Sequence, residues 1–162
     1  MEKVLIRPAS MEDVVDLTPR LRWEDVEEVY AAGLTVGFAL AEGVRTPGAE
    51  AYTAVFQPTG GRIAIFGAVP TSLAGDSCVV WLLGSRRVDD CKFEYLHIGK
   101  RFLAYLRSRY RLLFNHVDER SLRSIRMLKI LGFRFRPELD RQGCQSKFLY
   151  FEMEGDTACV TR

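Results

Sequence analysis

The segment 77–117 constrains the fold of this chain most, because it places one helix between two runs of strand length. The first run, SCVVWLL (77–83), is continuously apolar, which predicts a central strand buried on both faces. The second run, LLFNHV (112–117), follows a helix predicted over residues 90–110. Strands joined by a helical crossover run parallel, so the sequence predicts one parallel pair.

The crossover helix follows a glycine-containing turn and carries an apolar stripe. The turn GSRR (84–87) leads from the first strand into the helix, an arrangement that commonly binds a ligand. Five apolar or aromatic residues then recur at helical spacing and predict a stripe that packs into the core. They are Tyr95, Ile98, Phe102, Leu106 and Tyr110.

The first part of the chain predicts one strand and three helices. Residues 3–7 (KVLIR) form a β-type run, and Ser10 with Asp13 predicts a capped helix that ends near Pro19. Two more helices are predicted over 23–32, which ends at Gly33, and over 34–45, where the pattern fits helix or strand and a helix is favoured.

The remaining segments predict a hairpin, a last helix and closing strands. Residues 51–56 and 62–69 are joined by a PTGG turn and should pair antiparallel. Ser121 is predicted to cap the last helix, whose apolar face holds Leu122, Ile125, Leu128 and Leu131, and Gly132 ends it. Strands at 133–135 and 147–152 close the fold. The order predicts an α+β fold with a mixed, mostly antiparallel sheet flanked by helices.

Length and cysteine usage predict one domain without a metal. The 162 residues fit a single domain spanning 1–162, since domains typically hold ~100–150 residues. Cys78, Cys91, Cys144 and Cys159 form no C-x-x-C pair, and we expect four reduced structural thiols. No apolar run approaches the ~20 residues that span a bilayer, and no signal peptide is recognised. The sequence therefore predicts a protein of a cytoplasm, or of a particle assembled there, with no membrane partner.

Charge is unevenly distributed along the chain. Residues 1–83 hold six Lys and Arg against eleven Asp and Glu, whereas residues 84–136 hold fourteen against five. A basic middle in a near-neutral chain indicates either a face for an anionic ligand or a solvated surface with acidic neighbours. No nucleic-acid-binding motif accompanies it, so nucleic acid is not an expected partner.

Several segments together resemble the GNAT (Gcn5-related N-acetyltransferase) fold. IRPAS-x-x-D (6–13) is similar to the usual first strand and helix, and RMLKILGF (126–133) is similar to the final motif. FGAVP, VVWLLGS, RYRLLFNHVD and SIRMLKILGF resemble more narrowly a family of small phage proteins, the GNAT-like family grouped with the podovirus internal virion protein A. This narrower resemblance implies a phage protein located in the cytoplasm of an infected bacterial host or inside the virion.

The resemblance implies a splayed parallel strand pair that holds acetyl-CoA or CoA. The pyrophosphate is then expected on backbone amides after the fourth strand, and an unknown amine attacks the acyl group. Carried over to this chain, the implied cofactor-binding residues are Leu82, Leu83, Gly84, Ser85, Arg86, Arg87, Val88, Asn115 and Ser121.

The chain departs from the family pattern at its functional motifs. The pyrophosphate loop is usually Q/R-x-x-G-x-G/A, but GSRRVDD (84–90) lacks the two later glycines. Arg86 and Arg87 could supply charge-assisted hydrogen bonds in their place, while Asp89 and Asp90 would repel a pyrophosphate. The tyrosine that commonly acts as general acid is replaced by Leu128. These departures indicate a degenerate active site.

The catalytic candidates lie on the second strand of the parallel pair. The first strand holds no carboxylate, so the nearest bases are His116 and Asp118. His116 fits a base or an ordinary strand histidine, and Asn115 fits a ligand contact or a tie to unpaired backbone. Three arginines and a lysine on the last helix fit an anion-binding stripe or a solvated face: Arg120, Arg123, Arg126 and Lys129.

The sequence therefore leaves two alternative functions open. The first is a degenerate acyl-CoA-dependent N-acyltransferase homologue that binds acetyl-CoA or CoA. The alternative is a non-catalytic protein that keeps the fold for assembly or interaction with a phage or host protein, since a fold can outlive its chemistry.

Overall fold

The computed structural model describes residues 3–72 and 75–156. Cys159, one of the four predicted reduced thiols, lies outside these residues, while Cys78, Cys91 and Cys144 are free. The strands are β1 Val4–Pro8, β2 Glu50–Phe56, β3 Gly61–Pro70, β4 Ser77–Gly84, β5 Leu112–Asp118, β6 Arg134–Phe135, β7 Arg141–Gln142 and β8 Lys147–Glu154. The α-helices are α1 Met11–Leu17, α2 Trp23–Ala31, α3 Val36–Arg45, α4 Lys92–Arg107 and α5 Leu122–Leu131. Short 3₁₀ helices span Thr18–Arg20, Arg86–Cys91 and Pro137–Leu139.

The strands form one mixed sheet in the order β1-β2-β3-β4-β5-β8-β6, with β7 paired to β8. Every pair is antiparallel except β4 with β5, as the sequence predicts. The parallel pair is short. Ser77, Cys78 and Val79 pair with Leu112, Leu113 and Phe114, and no further pairing follows. Both strands continue past this point, so β4 and β5 separate and leave a gap within the sheet.

Helices cover both faces of the sheet, and the fold class is α+β. Helices α1, α2 and α3 pack on one face around Leu17, Leu40 and Ile65. Helices α4 and α5 pack on the other face, where Leu106 and Leu113 are fully buried. The predicted helix over 34–45 is confirmed as α3.

The predicted capping box at the start of α1 is confirmed, and its acid has a wider role. The Ser10 hydroxyl accepts a hydrogen bond from the Asp13 amide, and the Asp13 carboxylate accepts one from the Ser10 amide. Asp13 is fully buried and also accepts hydrogen bonds from Arg7 and Arg62 and from the hydroxyl of Thr53. One side chain therefore joins β1, α1, β2 and β3.

The predicted helix over 90–110 begins later than expected, and its stripe is only partly core. Residues 86–91 form a 3₁₀ helix before α4 begins at Lys92. Leu106 and Tyr110 are buried, as predicted for core. Tyr95, Ile98 and Phe102 are instead half-buried, because they border an open cleft between α4 and the sheet.

The prediction that β4 is buried on both faces is also wrong in part. Cys78 and Val80 are buried, but Trp81, Leu82 and Leu83 are only half-buried. These three residues follow the last β4–β5 pair and line the same cleft, so the gap in the sheet exposes them.

Within residues 3–72 and 75–156, no helix combines the length and the apolar character needed to cross a membrane.

Candidate functional site

The gap between β4 and β5 opens into a cleft of about 640 Å³. On one side of the sheet the cleft lies between α4 and α5, and on the other side it reaches α2. Its walls are mostly apolar, with polar groups at the gap and at the mouth. A concave, mostly apolar site with a few convergent polar groups is the usual form of a small-molecule site.

Asn115 fixes the point at which the two strands separate. Its side-chain amide donates to the carbonyl oxygen of Val80 at 2.8 Å, and its oxygen accepts from the amide of His116 at 2.7 Å. Of the two interpretations left by the sequence, the tie to unpaired backbone is the one this geometry shows. Asn115 also lines the cleft, so its side chain bridges β4 and β5 at the base of the site.

The edge of β4 offers backbone groups to the gap. The Gly84 amide donates to the Asp25 carboxylate at 2.7 Å, and the Gly84 carbonyl accepts from the Arg22 amide at 2.9 Å. Residues two apart in a strand direct their backbone groups to the same side. The N–H and C=O of Leu82 therefore point into the gap, between those of Val80 and Gly84.

Glu28 on α2 lies at this gap together with Asp25. Its oxygen accepts a hydrogen bond from the Ser121 hydroxyl at 3.0 Å. Burial raises the pKa of Glu28 to about 7, even though the bond from Ser121 opposes the shift and Asp25 and Asp118 add to it. A carboxyl group with that pKa exchanges a proton near neutral pH, which suits a general acid or base.

The Ser121 side chain does not cap α5 as predicted. Ser121 occupies the N-cap position, but its hydroxyl bonds to Glu28 instead of to the helix amides. The carboxylate of Glu28 competes successfully for this donor, because hydrogen bonds to charged acceptors are stronger than those to neutral ones.

Two aromatic residues line the cleft from different sides. Trp81 lines the side nearest α3, where any side chain at Gly43 would collide with the indole. Its indole nitrogen is buried and has no hydrogen-bond partner among the described residues. Tyr95 lies on the α4 side, and burial raises the pKa of its hydroxyl to about 12.

The mouth between α4 and α5 is cationic. Lys92 at the start of α4 and Arg126 on α5 both line it. Arg123 also lines it and is held by the Asp89 carboxylate at 3.0 Å. The basic residues predicted as one stripe on α5 therefore do not act together. Arg123 and Arg126 line the cleft, whereas Arg120 points away from it and pairs with Asp118.

Arg86 and Arg87 lie in a different hollow. Together with Arg20 and Arg62 they line a second cavity of about 370 Å³ beside the β2–β3 turn. Arg87 stacks over Phe56, with its guanidinium carbon 5.4 Å from the ring centre. Ser85 lines the same hollow and donates through its hydroxyl to the carbonyl of Ile63 at 2.9 Å. Of the predicted cofactor-binding residues, the structure brings Leu82, Leu83, Val88 and Asn115 together at the main cleft.

His116 and Asp118 have other surroundings. The His116 ring packs edge-on against Tyr150, and its Nε2 lies 3.3 Å from the Leu139 carbonyl. Burial lowers the pKa of His116, and the nearby Arg141 lowers it further. Of the described residues that line the cleft, none is His116 or Asp118.

Asp118 is buried and fully engaged. It accepts from the guanidinium and amide of Arg120 and from the hydroxyl of Ser146. Burial opposes ionisation, but these bonds outweigh it and hold the pKa of Asp118 below its usual value. Its carboxylate ties β5 to the segment before β8.

Across the described ranges, no group of three or more His, Cys, Asp or Glu side chains is arranged to hold a metal ion.

Sequence reasoning missed Glu28, Lys92 and Tyr95 as site residues. Glu28 lies among Glu24, Asp25 and Glu27, and this acidic run fits the usual preference of a helix N-terminus for anions. The signal that distinguishes Glu28 is its spacing. It lies three residues after Asp25, so both face the sheet while Glu24 and Glu27 face solvent.

Comparison with known proteins identifies the fold but not a close relative. No family model and no curated protein matches the sequence. Many solved structures are similar. A GNAT-family acetyltransferase from Streptococcus pneumoniae has a TM-score of 0.68 at 12% identity, over 94% of this chain and 99% of that one.

Two further neighbours have named acceptors. The ribosomal-protein-S5-alanine acetyltransferase from Vibrio fischeri has a TM-score of 0.66 at 14% identity, over 97% of this chain and 96% of that one. A mutant of the spermidine N-acetyltransferase SpeG from Vibrio cholerae has a TM-score of 0.68 at 8% identity, over 94% of each chain. These likenesses show that the chain has the fold of the GNAT acetyltransferases.

Proposed function

We propose that this chain is an acyl-CoA-dependent N-acyltransferase, with residues 1–162 forming one catalytic domain and Glu28 serving as its general base. The observation that carries the proposal is the position of Glu28. This residue lies beside the gap between β4 and β5, and its pKa is raised. The fold alone does not imply function, so the argument rests on this site.

The residues at the cleft fit an acyl-CoA. The free backbone edge at Leu82, between Val80 and Gly84, matches an amide-containing pantetheine arm. Lys92 and Arg126 at the mouth suit the phosphates. An acyl-CoA bound there supplies a thioester, whose C–S bond breaks as the new amide C–N bond forms.

Glu28 keeps the acceptor amine reactive. An ammonium group has no lone pair, so the amine must lose a proton before or during attack. The Glu28 carboxylate takes this proton, and the Ser121 hydroxyl orients the carboxylate from the other side. The proton that the amine loses balances the one that the released thiol gains.

Tyr95 on α4 supplies a hydroxyl group that can donate a proton, on the wall of the cleft opposite Glu28. Leu128 stands where the resemblance places a tyrosine and cannot donate a proton. Tyr95 lines the cleft from α4, and its high pKa keeps the hydroxyl protonated at neutral pH. We assign the donor role to Tyr95 for this reason.

The acceptor is an amine that approaches from α2. Glu28 lines the cleft there beside the ion pair of Arg22 and Asp25, and the exposed Glu24 and Glu27 give this side an acidic surface. Such a surface attracts a cation. Spermidine and an alanine N-terminus, the acceptors named for two structural neighbours, are therefore reasonable first substrates.

A second candidate function is a non-catalytic protein that interacts with a phage or host protein. Two contacts favour it. The Gly84 amide already donates its hydrogen bond to Asp25, and Arg123 at the mouth already pairs with Asp89. Neither group is therefore free to bind a cofactor in this arrangement. The phage relationship, and a location in an infected host or virion, remain predictions from the sequence resemblance.

The test is release of free thiol from acetyl-CoA in the presence of spermidine or an alanine-terminated peptide. The proposal expects turnover that Glu28→Gln lowers by about 10²-fold or more, the usual contribution of general base catalysis. The control is Glu42→Gln, an exposed carboxylate on α3 that does not line the cleft. Equal rates for the wild type and Glu28→Gln would remove Glu28 from the mechanism.

A further inference from the structure

Four arginines line a small cavity that the proposed reaction does not use. This cavity, which we call the arginine hollow, has a volume of about 370 Å³ and lies beside the β2–β3 turn. It is lined by Arg20, Thr59, Gly61, Arg62, Ser85, Arg86 and Arg87. The hollow shares no lining residue with the main cleft, and none of the residues that line it is acidic.

Backbone hydrogen bonds hold the segments that carry these arginines together. Leu21 pairs with Ser85 in an antiparallel bridge, so the neighbouring Arg20 and Arg86 lie at the same point of the fold. The Ser85 amide also donates to the carbonyl of Ile63 at 2.8 Å, which brings the start of β3, with a third arginine, to this point. The hollow is therefore set by backbone pairing, and a site that is fixed before binding loses less entropy when a ligand binds.

Two of the four arginines are neutralised by acids behind the hollow, and two are not. The ion pairs behind the hollow join three charges of each sign: Arg7, Arg20 and Arg62 with Glu12, Asp13 and Asp16. In the part of the chain that the structure describes, neither Arg86 nor Arg87 forms an ion pair, although both line the hollow. These two arginines leave the hollow with an excess of positive charge, and such an excess attracts anions.

The hydrogen-bond donors of the hollow suit phosphate oxygens. The guanidinium carbon of Arg87 lies 5.4 Å from the centre of the Phe56 ring, and a side-chain carbon at Gly61 would lie 3.7 Å from its Nε. A guanidinium that stacks on a ring keeps its in-plane N–H groups for hydrogen bonds. The Thr59 hydroxyl accepts from the Gly61 amide at 3.3 Å and retains its own proton for a further acceptor. Guanidinium forks with a hydroxyl form a donor set that binds phosphate well.

We propose that the arginine hollow binds a phosphate monoester of a small molecule, at a site separate from the acyl-CoA cleft. A phosphate monoester carries a charge of about −1.5 to −2 at neutral pH, which matches the two arginines without an acidic partner. Its terminal oxygens fit planar guanidinium groups in bidentate geometry. The volume of about 370 Å³ falls within the usual range of small-molecule sites, so the hollow has room for the group that carries the phosphate. This inference does not depend on the proposed function.

The experiment is calorimetric titration of the full chain with glycerol 3-phosphate and with glycerol, at about 0.15 M salt so that distant charges are screened. We expect glycerol 3-phosphate to bind with a Kd of about 1 mM or tighter and glycerol not to bind. Arg86→Ala combined with Arg87→Ala should weaken this binding about tenfold or more, because charge-assisted hydrogen bonds are lost. Arg101→Ala is the matched control and should bind like the wild type, since it removes an exposed arginine that lines neither cavity.

Two further titrations separate the hollow from the cleft. Glycerol 3-phosphate should bind equally well to Arg126→Glu, which changes the mouth of the cleft, and in the presence of excess dephospho-CoA, which carries a pyrophosphate but no phosphate monoester. Loss of binding in either titration would assign the phosphate to the acyl-CoA cleft and overturn the separate site. Failure of glycerol 3-phosphate to bind the wild type, or equal affinity for the wild type and the double variant, would overturn it as well. Binding of glycerol 3-phosphate without any binding of CoA would support the hollow and count only against the proposed function.

Discussion

Ser121 and Glu28 lie 93 positions apart in sequence, and their side chains meet at 3.0 Å across the end of the β4–β5 gap. The contact joins the N-terminus of α5 to the middle of α2 and places a carboxylate where the sheet opens. Burial raises the pKa of Glu28 to about 7, so the group changes charge within the physiological range. The site is therefore assembled from helices on both faces of the sheet.

The pH dependence of turnover should follow Glu28. The base form is the carboxylate, so the rate with any amine that the protein accepts should rise with pH through about 7. Ser121→Ala removes a bond that favours the carboxylate and should move this midpoint upward. The measurement is the initial rate from pH 5.5 to 9, and a midpoint that Ser121→Ala does not move would contradict the contact's role.

The same group should limit stability at high pH. Its folded pKa of about 7 exceeds the ordinary value of 4.5, so the folded state binds more protons between these values and loses stability as pH rises through them. Glu28→Gln should therefore raise the free energy of unfolding at pH 8 by about 1–3 kcal/mol relative to wild type. At pH 4.5 the difference should be small. Urea unfolding at both pH values checks this, and a loss of stability at pH 8 would count against it.

Asp13 should be the most sensitive carboxylate of the fold. Burial opposes its ionisation, but bonds from Arg7, Arg62, Ser10 and Thr53 hold its pKa well below the usual range. Asp13→Asn should cost about 2–4 kcal/mol at pH 7, because buried charge-assisted bonds are lost.

The pH profile distinguishes this effect from a packing defect. The wild type should lose the advantage of Asp13 only below pH 3.8, its ordinary pKa, as the carboxylate is protonated. The matched control is Asp76→Asn, since its ion pair with Arg111 is exposed and should contribute less than about 1 kcal/mol. Equal losses in the free energy of unfolding for the two variants would show that Asp13 contributes no more than an exposed ion pair.

The basic side chains at the two cavities should differ in their effect on CoA binding. Arg126 lines the mouth of the cleft, whereas Arg86 lines the separate hollow beside the β2–β3 turn. Arg126→Glu should weaken CoA binding about tenfold or more, and Arg86→Glu should weaken it much less. The reverse order would favour the sequence prediction that Arg86 and Arg87 bind the pyrophosphate.

Local rules account for most of the fold. The Ser10–Asp13 capping box, the helix end at Gly132 and the β2–β3 hairpin depend on nearby residues, and each is confirmed. The parallel pair follows from the crossover helix. Burial along α4 could not be predicted in this way. Tyr95 and Leu106 share one stripe, and only the gap in the sheet makes one half-exposed and the other buried.

The site was harder to predict because its groups come from distant segments. His116 and Asp118 were the nearest candidate bases in sequence because β4 holds no carboxylate, but strand alternation and neighbours decide where each side chain lies. His116 packs on Tyr150 and Asp118 binds Ser146, both partners from the last part of the chain. Glu28 becomes prominent only when α2 is placed against the gap, a contact between elements that periodicity does not reveal.

The most direct test of the account is calorimetric titration of the purified protein with free CoA and acetyl-CoA, repeated with Arg126→Glu. The account predicts micromolar binding that Arg126→Glu weakens about tenfold or more. No heat and no thermal stabilisation at millimolar ligand would contradict the acyl-CoA site, and would favour a protein that keeps this fold for interaction alone.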